Sequence, residues 1–298
     1  MLRHAALALA LFTAALAPGV ALAECAPEGM NRQSLQTLRT LGFAVPDAAD
    51  RAKLAKGLVE CLGDPDPSLR DGIAYEGLTH WMRAGQIDSD TLRTLTARLY
   101  AIVEGGEGEG FARPFAALVL SEVARTNRIA PWMTPVERAT MVEKASAYLE
   151  TVEDYRGFDD REGWRHGVAH GADWLMQLAL DPALERAHAE RMLRALAVQI
   201  VPGSAHPYVF GEPGRLVRPV VAIARQGLYT GEEWRAWMLR LPPRIGEAEH
   251  AYADSDWLTR RHDLLAFFTS LYLEADQSSE PAVQALKPAL VAALKTVP

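Results

Sequence analysis

The chain has 298 residues, 49% of them hydrophobic and 23% charged, with a formal net charge of −7. That length and apolar share suit one large domain or an array of helical repeats with an ample core. The mildly acidic balance, with no basic tract, argues against nucleic acid and against anionic membrane surfaces as partners.

Residues 1–23 read as a secretory signal. Arg3 and His4 give a short charged start, residues 5–16 are almost wholly apolar, and Ala21-Leu22-Ala23 has the small-x-small form of a cleavage site. Twelve apolar residues are too few for a bilayer core about 30 Å thick, and Pro18-Gly19 interrupts the run. The expectation is an exported protein, periplasmic or secreted, with no stable membrane insertion after cleavage. Residues 24–298 then form a single all-α helical-repeat domain. Cys25 and Cys61 are the only cysteines. In an oxidising compartment they are expected to bridge, so that residues 24–62 become an N-terminal cap tied by a disulfide.

Helical spacing dominates the rest of the chain. Leu35, Leu38 and Leu41 mark a first helix that Gly42 stops, and Asp47 caps a second that runs to residue 62. The turn Asp64-Pro65-Asp66-Pro67-Ser68 opens a third helix to about residue 84, and a fourth spans residues 89–103. After the glycine-rich acidic loop at 105–110 come helices over 111–126 and 134–152. Next is Gly163-Trp164-Arg165-His166-Gly167-Val168-Ala169-His170-Gly171-Ala172-Asp173-Trp174, read as helical. Further helices fall at 184–200, 215–226, 232–240, 257–274 and 282–295. The long aromatic loop at 202–214 reads equally as a lid or a connector, and the acidic loop at 248–256 ends in a Ser255 or Asp256 cap. No stretch sustains a period of two. The fold class is all-α.

Arg70, Arg113, Arg165 and Arg218 each stand four residues before an alanine early in an apolar helix, and Arg261 echoes them. Their intervals of 43, 52, 53 and 43 residues match helix-pair repeats with insertions. The expected architecture is a HEAT-like or armadillo-like α-α superhelix, a short helical-repeat solenoid. The segments Leu69-Arg70-Asp71-Gly72-Ile73-Ala74-Tyr75-Glu76, Phe111-Ala112-Arg113-Pro114-Phe115 and Tyr155-Arg156-Gly157-Phe158 run on into the Trp164, His166, His170 and Asp173 block. Together they resemble the domain of unknown function 2785 family over residues 62–268. The resemblance implies a helical, uncharacterised bacterial protein. It brings no catalytic residues to carry over.

The chemistry gathers at His166 and His170. On a helix at about 100° per residue they share one stripe with Asp173. Two imidazoles four apart can hold one divalent ion, zinc by ligand type. Gly167 stands where the His-Glu-x-x-His motif has its glutamate, which removes the metalloprotease reading. Asp173 lies about 10.5 Å along the axis from His166, so it suits a hydrogen bond to His170 better than a third metal position. Glu162, Asp159, Asp160, Asp71 and Glu76 are the other candidate carboxylates. Packing of both histidines within the helix bundle, with the small residues between them admitting a neighbouring helix, explains the pattern more simply than metal or ligand binding or acid–base catalysis does. Glu76 and His80 form a second acid–histidine pair that reads as a helix-surface pair.

The leading expectation is a binding or interaction module whose concave groove centres on Trp164, His166, His170 and Asp173. Its ligand would be a protein, a peptide or a small molecule. The alternative is a metal-dependent hydrolase with His166 and His170 as ligands and a carboxylate activating water.

Overall fold

A computed structural model describes residues 25–298 apart from Ala205, Ala248 and His250; the expected secretory segment lies outside the described residues. The described residues fold as helices with one two-residue strand pair. Helix α1 (Arg32–Thr40) starts at a reciprocal Asn31–Ser34 capping box, and α2 (Ala48–Leu58) at Asp47, whose carboxylate accepts from two backbone N–H groups. A 3₁₀ turn (Val59–Gly63) comes next, then α3 (Pro67–Leu69), a π-helical turn (Arg70–Tyr75) and α4 (Glu76–Arg83). Beyond them are α5 (Ser89–Val103), α6 (Ala112–Ile129), α7 (Pro135–Glu150), the pair β1 (Phe158–Asp159) and β2 (Gly163–Trp164), and α8 (Gly167–Ala179). The chain ends with α9 (Arg186–Ile200), α10 (Glu212–Arg225), α11 (Gly231–Met238), α12 (Ser255–Gln277), α13 (Pro281–Gln284) and α14 (Lys287–Leu294). No helix of the described residues is long and apolar enough to cross a membrane.

The helices stack in two layers. Helices α4, α6, α8, α10 and α12 lie side by side in chain order, each touching the next. Helix α5 packs on α6, α7 on α8 and α9, and α11 on α14. One continuous core runs between the layers, with Trp81, Trp174 and Trp257 among its fully buried side chains. The small residues of α8 allow α7 to come close, since a Cβ on Gly171 would stand 3.0 Å from both Tyr148 and Leu149. In this respect the helix packs as its sequence suggests.

The stretch from Gly163 to Asp173 is not one helix, however. Gly163 and Trp164 pair antiparallel with Asp159 and Phe158. The ladder continues as Arg165 N–H donates to Gly157 O at 2.9 Å and His166 N–H to Arg156 O at 3.0 Å. His166 then turns through the left-handed region (φ 59°, ψ 40°), and α8 begins after it. Periodicity alone continues the helix back to Trp164. Long-range contacts hold the hairpin instead. They are the backbone bonds to residues 156 and 157, the Arg70 bond to the Glu162 carbonyl, and the Arg165 guanidinium 4.0 Å over the Phe111 ring. Two smaller corrections concern helix ends. Asp254, not Ser255 or Asp256, caps α12. The segment 282–295 breaks into α13 and α14, because Pro288 fits only the first turn of a new helix.

Cys25 and Cys61 form a disulfide across 36 residues, which pins the start of the described chain to the 3₁₀ turn. Cys61 is buried, and the Cys25 N–H also donates to Asp64 at 3.2 Å. Reducing this bond, or replacing both cysteines by serine, is expected to lower stability by about 2–4 kcal/mol through loop entropy released in the unfolded chain. Denaturant midpoints with and without reductant measure it. Coincident midpoints would contradict the expectation.

Candidate functional site

The hairpin, the loop before α10 and the inner helices enclose a cleft of about 700 Å³. Its floor and walls come from the π turn (Asp71, Tyr75), α6 (Phe115), α8 (His170) and α10 (Arg215, Arg218), with Trp164 and His166 from the hairpin and Phe210 from the loop. His166 and His170 therefore share one cleft, although only His170 is on the helix. Their ring centroids are 5.8 Å apart.

His170 is buried, and its Nδ1 lies 3.1 Å from the Pro114 carbonyl. A carbonyl only accepts, so Nδ1 carries the proton and Nε2 is left with its lone pair. Burial pushes His170 down to about 3, with the positive charges of His166 and Arg215 adding to the shift. Burial likewise pushes His166 down to about 4, assisted by Arg215 and opposed by a hydrogen bond to the Phe210 backbone. Both imidazoles are uncharged at neutral pH. His166 stacks on Trp164 at 4.7 Å, and its Nε2 is buried without a hydrogen-bond partner. The nearest carboxylate oxygen, Glu212 Oε1, is 3.7 Å away, beyond hydrogen-bond range.

Asp173 does not orient His170. Its Oδ2 is bound by Arg215, and Arg218 stands 3.5 Å from its Oδ1. Helix α10 brings these arginines across α8, and an arginine outcompetes a neutral imidazole for a carboxylate. Burial pushes the Asp173 carboxyl up, against the pull of both arginines. The remaining candidates scatter. Asp71 reaches the cleft but is bound by Arg70 at 2.6 Å. Glu76 also reaches it, paired with Arg39 at 3.3 Å, while the His80 ring packs against Phe43. Glu162 points away: its carboxylate accepts from Arg165 and its carbonyl from Arg70. Asp159 caps the hairpin turn and Asp160 is exposed. Among the described residues no three His, Cys, Asp or Glu side chains gather as a metal ion would require.

A family model described as protein of unknown function (DUF2785) matches residues 99–273, more than half of the chain. The chain belongs to this family. No curated protein and no solved structure gives a match. In this DUF2785 chain the match takes in Trp164, His166, His170, Phe210 and both cleft arginines, while Asp71 and Tyr75 enter from outside it.

Sequence reasoning misses Arg215, Glu212 and Phe210. Arg215 shows in the sequence only as the start of a helix three residues before Arg218. Phe210 lies in the long loop, and Gly157 gives it room: a Cβ there would fall 2.0 Å from the Phe210 ring. Asp263, fully buried on α12, anchors that loop by accepting the Tyr208 N–H at 2.9 Å, and the Tyr208 hydroxyl donates to Gln199 at 2.9 Å.

Proposed function

We propose that this chain is a ligand-binding protein, a short HEAT-like α-α superhelix whose inner layer carries a cleft for a compact polar ligand. The two-layer stacking of α5 to α12 in chain order supports the repeat reading. The binding reading is carried by one observation. Two uncharged imidazoles, one with an open Nε2 acceptor, share a preformed cleft with Arg218 and with an aromatic mouth formed by Trp164 and Phe210. Pockets of about 300–1,000 Å³ that combine apolar walls with a few convergent polar groups suit small ligands. Histidines titrating near 3 and 4 are far from the working pH of a general base. They serve better as hydrogen-bond acceptors. Export is proposed with this reading, supported by the disulfide that an oxidising compartment maintains.

The test is a thermal-shift screen of small polar molecules and short peptides on the full chain and on Arg218→Ala. Arg218 is half exposed, so its loss leaves the fold intact. Ligands that stabilise the parent by several degrees and the variant much less are expected. A library without such ligands would sink the proposal. A metal-dependent hydrolase is the second reading because His166 Nε2 is buried and unpartnered beside Glu212. Elemental analysis of untagged protein against His166→Ala and His170→Ala decides it. Stoichiometric zinc in the parent, lost in both variants, would replace the binding reading.

A further inference from the structure

We propose that the cleft takes a neutral carbohydrate, with a sugar ring lying against Trp164 and its hydroxyls reaching His170 and Arg218. This rests on the ligand-binding reading and names its ligand class.

The mouth supplies the first half of the argument. Phe158, Trp164 and Phe210 are 46%, 38% and 37% exposed. They are also contiguous, with ring centroids 5.1 Å apart for Phe158 and Trp164 and 6.1 Å for Trp164 and Phe210. Single exposed apolar residues need no explanation, but a cluster of three aromatic rings at a cleft mouth marks a contact surface. Trp164 is held on one face by His166 at an interplanar angle of 24° and on an edge by Phe210 at 84°. A ring so fixed loses little entropy on binding. A flat apolar face meets the C–H face of a pyranose as well as it meets another ring.

The floor supplies the second half. Charges of both signs line it, with Asp71, Glu76 and Glu274 facing Arg215 and Arg218, and most of them are engaged within the protein: Asp71 by Arg70, Glu76 by Arg39, and Arg215 by the neighbouring Asp173. An anionic or cationic ligand would therefore meet repulsion from one set of these charges. A hydroxyl is both donor and acceptor. It can donate to the open Nε2 of His170 or to a paired carboxylate and accept from an arginine N–H, without any ion pair being broken.

The experiment is a binding screen of the full chain on immobilised neutral oligosaccharides of glucose, mannose, xylose and N-acetylglucosamine, with uronic-acid counterparts and short peptides alongside. Calorimetry on the hits then compares the parent with Trp164→Ala and Trp164→Phe, and circular dichroism checks that both fold. The expected result is retention of a neutral sugar, weakened about tenfold or more by Trp164→Ala and about threefold or less by Trp164→Phe. Unchanged affinity in Trp164→Ala would overturn the proposed geometry. Retention of uronates alone would overturn the neutral ligand, retention of peptides alone would overturn the carbohydrate class, and either would leave the ligand-binding reading standing. If no sugar is retained, the proposal fails, and the Arg218-sensitive hits of the small-molecule screen decide separately whether the cleft binds anything.

Discussion

Replacing Arg70 by alanine is expected to lower the unfolding free energy by about 3–5 kcal/mol, the range for stranding the partners of a buried charge. The Arg70 side chain is wholly buried. Its Nε donates to Asp71 at 2.6 Å, Nη1 to the carbonyls of Asp64 and Pro65 at 3.1 and 3.3 Å, and Nη2 to the Glu162 carbonyl at 2.7 Å. The guanidinium also lies 4.1 Å over the Phe111 ring, whose centroid is 4.0 Å from Arg165, so the two arginines sandwich the phenyl ring. Alanine leaves Asp71 without this partner and three carbonyls short of a donor. Lysine keeps the charge but not the planar fork, so Arg70→Lys should lose most of the same stability. Urea denaturation measures both. The Glu162 bond ties the hairpin to a turn 92 residues earlier. Amides of residues 157–166 should therefore exchange faster than those of α8 in either variant. Unchanged midpoints would mean that this network contributes nothing to the fold.

Most helices are legible in the sequence because amphipathic spacing and caps are local signals. The fourth helix, expected over residues 89–103, has those bounds, and Thr134-Pro135-Val136-Glu137 opens α7 with a capping box. The repeated arginines are a weaker guide, because equal sequence positions do different work. Arg70 is a buried hub, Arg165 stands before its helix rather than inside it, and Arg218 faces the cleft. Spacing records where a helix recurs, not what its side chains meet. The π turn at Arg70–Tyr75 leaves no local mark either.

The site is half legible. Two histidines four apart point to one location, and both do face one cleft. What fails is the assumption that a shared stripe requires a shared helix. His166 reaches the cleft from a left-handed cap residue, a conformation set by the hairpin ladder and invisible to a 3.6-residue period. Sequence distance alone pairs Asp173 with His170, yet the arginine that takes it lies 42 residues away on α10. Long-range charge pairing of this kind depends on which helices end up adjacent, and the chain order does not state it.

Acidification is expected to destabilise the protein through the two cleft histidines. Their folded-state values, about 3 for His170 and about 4 for His166, lie below the ordinary 6.5. Unfolding therefore takes up protons as soon as the pH falls below 6.5. The stability that the neutral imidazoles contribute is complete above that value and is lost progressively as pH falls toward 4 and then 3. At about 1.4 kcal/mol per unit, the loss for the pair is on the order of 3 kcal/mol or more; the two rings are coupled, so their separate shifts do not add. Asp263 acts in the opposite sense. Burial raises its carboxyl to about 6, so folding favours its protonated form, and its contribution is present below pH 4 and lost as pH rises through 6. One of its oxygens has no hydrogen-bond partner, while the other holds the Tyr208 N–H. Asp263→Asn keeps an acceptor for Tyr208 and removes the ionisation cost. It is expected to stabilise the chain by about 1–3 kcal/mol at pH 7.5 and to steepen the fall in stability between pH 6 and 4. His170→Gln, which retains a donor for the Pro114 carbonyl, should flatten that fall. Thermal melts from pH 8 to 4 on the three proteins separate the terms, and imidazole NMR shifts provide the direct check. A His170 ring that titrates near 6.5 in the folded protein would mean that it is solvated and charged at mild acidity, and the uncharged acceptor on which the binding reading depends would be gone.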